Sequence, residues 1–242
     1  MVRDISFKCG RLELAGTLHL PPGPPRAAVI GCHGMLANRM SAKQIALAGK
    51  CTGSAMAYFR FDHRGCGQSR GDLRLAGILD DRRQDLLAAL DKIRDLLGPD
   101  IPVGLFGSSL GGTVALQVAA ETGLHPIVTA AAPVKMDRIS QATIASLKEA
   151  GLNPGPDYRA AIAFDITSCL DRVSGALVIH GGLDDVVPVD NAHLIYARVK
   201  DPKRIVIITD SDHAFGRPSH QKRLVELAHH WLQSLLEDGS RR

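Results

Sequence analysis

Aromatic side chains are scarce: one Trp, three Tyr and six Phe make up 4% of the 242 residues. Little is therefore available on which nucleobases could stack. Charge of one sign is not in surplus either, since 29 Lys and Arg stand against 25 Asp and Glu, a net +4. The cations are spread along the chain, and even Asp80-Asp81-Arg82-Arg83 alternates by pairs, the pattern of a solvated face. A nucleic-acid binder would gather its cations on one element, so no nucleic-acid partner is expected.

Long hydrophobic runs are missing too. Gly, Pro or a charge interrupts each one before the roughly 18 residues that a membrane helix needs, so no membrane span is expected. The N-terminus, Met1-Val2-Arg3-Asp4-Ile5-Ser6-Phe7-Lys8, lacks the basic, apolar and small-residue phases of a secretory signal, and neither end carries a lipidation motif. The expected location is cytoplasmic. The cysteines, Cys9, Cys32, Cys51, Cys66 and Cys169, are odd in number and form no C-x-x-C pair. Neither a disulfide framework nor a cysteine zinc site follows, and they read as small buried apolar residues.

What is present is a chain with 45% apolar residues, enough at this length to bury roughly 70–75% of its extended surface. No repeat, low-complexity tract or long linker is visible, and one domain over 1–242 is expected. Short apolar runs at Arg26–His33, Ala55–Asp62, Ile101–Gly107, Pro126–Ala132, Ser174–His180 and Lys203–Thr209 read as strands buried on both faces. Helical periods at Ser41–Lys50, Leu79–Leu97, Leu110–Glu121, Asp190–Val199 and Ser219–Leu236 lie between and after them. Ser41 and Gln44 have capping-box spacing, and Gly98-Pro99 stops the second helix. Asp4–Cys9 and Leu12–Leu20 flank Gly10-Arg11, which suggests an antiparallel hairpin. The sum is an α/β fold: a doubly wound, mostly parallel sheet of about eight strands with an antiparallel edge. Residues 133–170 break the rhythm with a helix around Ile139–Ala150, the breaker Gly151-Leu152-Asn153-Pro154-Gly155-Pro156, and then Tyr158–Phe164. This segment is longer than a plain crossover and reads as a small helical cap inserted in the domain.

Gly107-Ser108-Ser109-Leu110-Gly111 satisfies G-x-S-x-G where a strand meets a helix, the context that a nucleophile elbow requires. The central serine sits on a tight turn, and flanking glycines let strand and helix approach without a Cβ clash. A serine hydroxyl needs a base to take its proton and a carboxylate to orient that base. Both lie downstream on loops after strands: Asp184 in His180-Gly181-Gly182-Leu183-Asp184-Asp185-Val186-Val187-Pro188, and His213 in Ser211-Asp212-His213-Ala214-Phe215. The order serine, aspartate, histidine is that of the α/β-hydrolase fold.

The chain here resembles the α/β-hydrolase superfamily from about Leu12 to Leu236. The H-G-x-x-D-x-x-V-P and D-H-x-F blocks are similar to the acid and base loops of small serine esterases of the cinnamoyl-esterase kind and of serine-aminopeptidase-like relatives. Asp62-His63-Arg64-Gly65-Cys66-Gly67-Gln68-Ser69 resembles the same group's D-x-R-G-x-G-x-S loop. The resemblance favours Asp184 over Asp185 as the acid, from its spacing to Val187-Pro188. It also implies that His33-Gly34-Met35 is the oxyanion loop, with the N–H groups of Met35 and Leu110 as donors. His33, His63 and His180 are expected to fix loops by hydrogen bonds, Gly34, Gly107 and Gly111 to provide room, and Asp62 and Arg64 to brace the loop beneath the site.

The expected activity is that of a carboxylesterase cleaving small to medium soluble esters through an acyl-enzyme, with catalytic residues Ser109, Asp184 and His213 and neither metal nor organic cofactor. Met136, Ile139, Tyr158 and Phe164 are candidate pocket residues, or equally packing groups of the cap. A peptidase or a thioesterase would use the same triad, and a hydrolase-fold binding protein would not need it. The sequence leaves the oligomeric state open, with a homodimer as the default.

Overall fold

The computed structural model of the chain describes residues 1–139, 141–149, 151 and 162–239. Strands β1 (Val2–Cys9) and β2 (Leu12–His19) form the expected hairpin across Gly10-Arg11. Gly10 takes φ +57°, which a side chain would resist. Strand β3 (Ala27–Cys32), helix α1 (Ala42–Gly53), β4 (Met56–Phe61), α2 (Ile78–Leu97), β5 (Val103–Ser108), α3 (Leu110–Thr122) and β6 (Ile127–Ala130) follow. Next come the two-residue strands β7 (Lys135–Met136) and β8 (Phe164–Asp165) with helix α4 (Gln141–Glu149) between them, and a 3-10 helix, Thr167–Arg172. Strand β9 (Ser174–Gly181), helix α5 (Asp190–Arg198), β10 (Lys200–Ile208) and α6 (Pro218–Gly239) complete the described elements.

The main sheet has eight strands in the order β1-β2-β4-β3-β5-β6-β9-β10. Only β1 with β2 and β2 with β4 pair antiparallel; from β4 to β10 every pairing is parallel. Alternate strand residues supply two cores, as the period-two geometry of a strand requires. Ala28, Ile30 and Cys32 pack against Leu86 and Leu90 of α2 and Val114 of α3. Ala27 and Val29 face the other way, against Leu47 of α1 and Leu224 and Leu232 of α6. At the β10 margin the strand begins Lys200-Asp201-Pro202-Lys203-Arg204, with a register shift between Lys200 and Lys203.

Two expectations change, and one element is new. Ser41 makes no side-chain capping bond, and the reciprocal bond is missing too because Gln44 is buried against β3, where its amide is placed to donate to Gly31 O and accept from His33 N–H. Cys32, Cys51 and Cys66 are buried, whereas Cys9 and Cys169 are only half-buried. Between β6 and β9, β7 and β8 pair as a separate ribbon, which the sequence did not announce because two-residue strands carry no periodicity. Among the described residues no helix is long and apolar enough to cross a membrane.

Candidate active site

Ser109 lies between β5 and α3 at φ +52° and ψ −128°, a conformation that costs on the order of 1–3 kcal/mol outside glycine. The surroundings enforce it. Ser109 N–H donates to Ala130 O at 2.8 Å, and Gly112 N–H returns to Ser109 O at 2.8 Å, starting the helix. A Cβ on Gly107 would run into the backbone of Gly111 and Gly112, and one on Gly111 would come within 2.5 Å of Cys32 O and His33 O. Strand and helix therefore meet closely only because both positions are glycine. Although Ser109 is the N-cap of α3, its side chain makes no cap bond, so the hydroxyl stays available.

That hydroxyl is 3.1 Å from His213 Nε2, and His213 Nδ1 is 2.8 Å from Asp184 Oδ2. Asp184 is sealed from solvent while His213 keeps 20% of its side-chain surface open. The other carboxylate oxygen, Asp184 Oδ1, accepts the N–H groups of Val186 at 3.0 Å and Val187 at 2.8 Å. His180 Nε2 lies 3.0 Å from Val187 O, which only accepts, so it carries a proton that it also offers to Asp184 Oδ2 at 3.2 Å. Burial alone would raise the pKa of Asp184, but the bonds from His180, His213 and Val187 outweigh it and hold the carboxyl well below its usual range. An ionised Asp184 fixes the proton of His213 on Nδ1 and leaves Nε2 as acceptor for the serine hydroxyl.

The loop that carries His213 is anchored on both sides. Phe215, at φ +55°, buries its ring in the α6-side core, and Gly216 N–H bonds Asp212 Oδ1 at 2.8 Å. Lys43 of α1 donates to Ala214 O at 3.0 Å. Burial lowers the Lys43 pKa, opposed by the nearby Asp212.

His33-Gly34-Met35 follows β3. His33 is 1% exposed; its Nδ1 donates to Gly34 O at 2.7 Å while Nε2 accepts His63 N–H at 3.0 Å. Burial, then the neighbouring His63 and Arg82, hold its pKa well below the ordinary value, so the ring is neutral. Among the described residues neither Met35 N–H nor Leu110 N–H has a protein acceptor, and both residues share the wall of one cavity with Ser109.

Asp62 and Arg64 bind different partners. Asp62 accepts Arg39 N–H at 2.6 Å and Gln68 N–H at 2.9 Å and forms a buried ion pair with the Arg39 guanidinium. Arg64 reaches Asp85 at 2.8 Å and Asp81 at 2.7 Å on α2. Asp85 also receives His63 Nδ1 at 3.3 Å. Nothing in the sequence singles out Arg39 or Asp85, since a lone charge in a polar stretch gives no sign that it will be buried.

The cavity at Ser109 has a volume of about 210 Å3 and is lined mainly by apolar groups, including Met136, Ile139, Pro133 and Val187. A second cavity of about 500 Å3 shares those four residues and adds Lys135, Asp137, Arg138 and Asp185. Phe164 is not in either lining; in β8 it packs against the α2-side core. Tyr158 lies outside the described residues. Asp185 follows Asp184 but is not bonded to His213. Among the described residues no three His, Cys, Asp or Glu side chains converge as metal ligands would.

The family described as serine aminopeptidase S33 matches residues 23–152, just over half of the chain. The chain belongs to this family. As an S33 member it is an α/β-hydrolase. It is similar to the uncharacterized protein YfhR of Escherichia coli O157:H7, 32% identical over 160 residues, which covers 64% of this chain and 52% of that protein. The chain thus spans about half the length of the curated relatives it matches. The esterase domain from a Rhodothermus marinus protein superposes with a TM-score of 0.70 at 22% identity, covering 97% of this chain and 99% of that one. Est1E from Butyrivibrio proteoclasticus, solved with ferulic acid bound, superposes with a TM-score of 0.76 at 18% identity, covering 98% and 100%. At these identities the likeness establishes the fold.

Proposed function

We propose that this S33 member is a serine hydrolase, and that it cleaves small to medium carboxylic esters. One observation carries the reading: the serine on the strained turn, the imidazole and the sealed carboxylate form a continuous hydrogen-bonded chain whose hydroxyl end faces an apolar cavity.

In the mechanism, Ser109 Oγ attacks the ester carbonyl carbon as His213 Nε2 takes the hydroxyl proton. Asp184 holds the imidazole and stabilises the imidazolium that forms. The carbonyl oxygen becomes an oxyanion that Met35 N–H and Leu110 N–H receive; the latter lies at the positive end of α3. The C–O bond to the alcohol breaks, the alcohol leaves with the proton from His213, and an acyl-Ser109 remains. His213 then activates water, whose oxygen takes the acyl group and restores the serine.

The size and lining of the cavity support a short apolar acyl or aryl group. We read residues 133–170 as a cap inserted into a single domain, with Met136 and Ile139 reaching the reacting serine from it. A peptidase of this fold would gather acidic groups to hold a peptide amine. Here Asp137 and Asp185 share their cavity with Lys135 and Arg138, which favours the ester reading.

Fluorophosphonate labelling of wild type and Ser109→Ala, followed by ranking p-nitrophenyl esters of rising acyl length against aminoacyl anilides, tests this. Labelling should vanish in Ser109→Ala and turnover fall on the order of 10⁶-fold, with short esters preferred. Turnover retained by Ser109→Ala refutes the serine assignment, and anilides winning by kcat/KM refute the ester assignment.

A further inference from the structure

Arg82 of α2 is the largest of the fully buried side chains, 1% exposed, and among the described residues it forms no ion pair. A guanidinium removed from water without a carboxylate partner is costly and needs another source of compensation. Here the compensation is three successive carbonyls of one loop. Nη1 lies 3.4 Å from His33 O and 3.1 Å from Gly34 O, and Nη2 lies 2.7 Å from Met35 O. Cys66 Sγ, at 3.6 Å from Nη2, is the remaining partner.

The consequence for the site comes from the geometry of the amide. In a planar trans peptide the C=O and N–H point in opposite directions. Gly34 O and Met35 N–H belong to the same peptide unit. Drawing Gly34 O toward α2 therefore turns Met35 N–H away from that helix, and Met35 lines one cavity with Ser109 and Leu110. The same carbonyl also accepts His33 Nδ1–H at 2.7 Å and Ala37 N–H at 3.3 Å, so three donors hold this peptide in one orientation. A charged donor on the carbonyl also polarises the amide and strengthens its N–H as a donor.

We propose that Arg82 is a positioning residue for the hydrolytic reaction: from beneath the loop it locks the Gly34–Met35 peptide with its N–H presented to the oxyanion. The proposal rests on the reading of Met35 N–H as an oxyanion donor. Arg82 touches neither substrate nor reacting atoms; it acts through the peptide it holds. The loss of one fixed oxyanion donor elsewhere lowers kcat by about 10²–10³-fold, and a donor left in place but free to turn should cost somewhat less, on the order of 10–100-fold.

Arg82→Lys and Arg82→Met, with folding checked by circular dichroism, provide the test. Expected are a kcat lower by about 10–100-fold with KM within about twofold, inhibition by an alkyl boronic acid weakened by the same factor, and partial recovery in Arg82→Lys relative to Arg82→Met. A merely structural role would lower the melting temperature and leave kcat and boronate inhibition unchanged in the folded protein; that outcome overturns the proposal. Should neither variant fold, a crystal structure of the wild-type boronate adduct decides. Arg82 still on Gly34 O with a boronate oxygen on Met35 N–H upholds the proposal. The boronate oxygen on Met35 N–H with Gly34 O turned away from Arg82 overturns it and spares the oxyanion reading. A boronate oxygen bound away from Met35 overturns both.

Discussion

His213 Nε2 lies 3.1 Å from Ser109 Oγ although 104 positions separate the two residues in the chain. The sheet makes this contact: parallel strands β5 and β10 both end at the same edge, and the loops that follow them carry the two side chains. The third member, Asp184, is fixed by four donors, of which His213 is only one. In Asp184→Asn the new NH2 group faces either the N–H groups of Val186 and Val187 or, at the Oδ2 position, both His213 Nδ1 and His180 Nε2; in the second orientation the imidazole loses the tautomer that accepts from serine. The expected result is a kcat lower by about 10⁴-fold with little change in KM, read by steady-state ester hydrolysis; a loss under tenfold would remove Asp184 from its role.

Close approach at the elbow makes its glycines unforgiving. Gly107→Ala and Gly111→Ala should each destabilise by at least about 1–3 kcal/mol, since backbone rather than a flexible side chain meets the new Cβ. A Cβ on Gly49 in α1 would meet nothing within 4 Å, so Gly49→Ala should be neutral or stabilise by up to about 1 kcal/mol. Urea midpoints of the three variants check the contrast.

The Arg39–Asp62 pair is 8% and 1% exposed at its side chains. Asp62→Ala strands a buried guanidinium and also removes the acceptor of Gln68 N–H; a loss of about 3–5 kcal/mol is expected. Denaturant unfolding measures it, and a loss below about 1 kcal/mol would show that water reaches the pair.

Burial lowers the pKa of His63 from its ordinary 6.5 to about 4, despite the hydrogen bond to Asp85, and His19, His33 and His229 move the same way. The unfolded chain therefore binds more protons than the folded one between these values. Stability should fall as pH drops from about 6.5 toward 4, with His63 alone contributing about 3 kcal/mol. Asp184 and Asp85, held below the usual carboxylate range, add their own loss at still lower pH. Melting temperatures across pH 7.5 to 4 test the order, and a flat profile above pH 4.5 contradicts it.

The strands and helices of the sheet were legible because each core strand is a short apolar run and each covering helix repeats near 3.6. The G-x-S-x-G turn and the two downstream loops were legible because their glycines and turn residues directly follow apolar strand runs. Arg82 and Gln44 were not. Their burial depends on carbonyls that only the folded loop turns toward them, and nothing local marks a guanidinium in Asp80-Asp81-Arg82-Arg83 as internal while its neighbour Arg83 meets Asp80 and Glu121 at the surface. Likewise Ser41 and Gln44 fit a capping box by spacing, yet tertiary packing took the amide elsewhere.

The β10 margin has a bearing on solubility at high concentration. Its first five residues include a proline, which offers no N–H, and three cations, and the pairing register shifts between Lys200 and Lys203 in the same stretch. An incoming extended chain meets repulsion and an interrupted ladder there, so this flank of the sheet is a poor template for fibrillar growth.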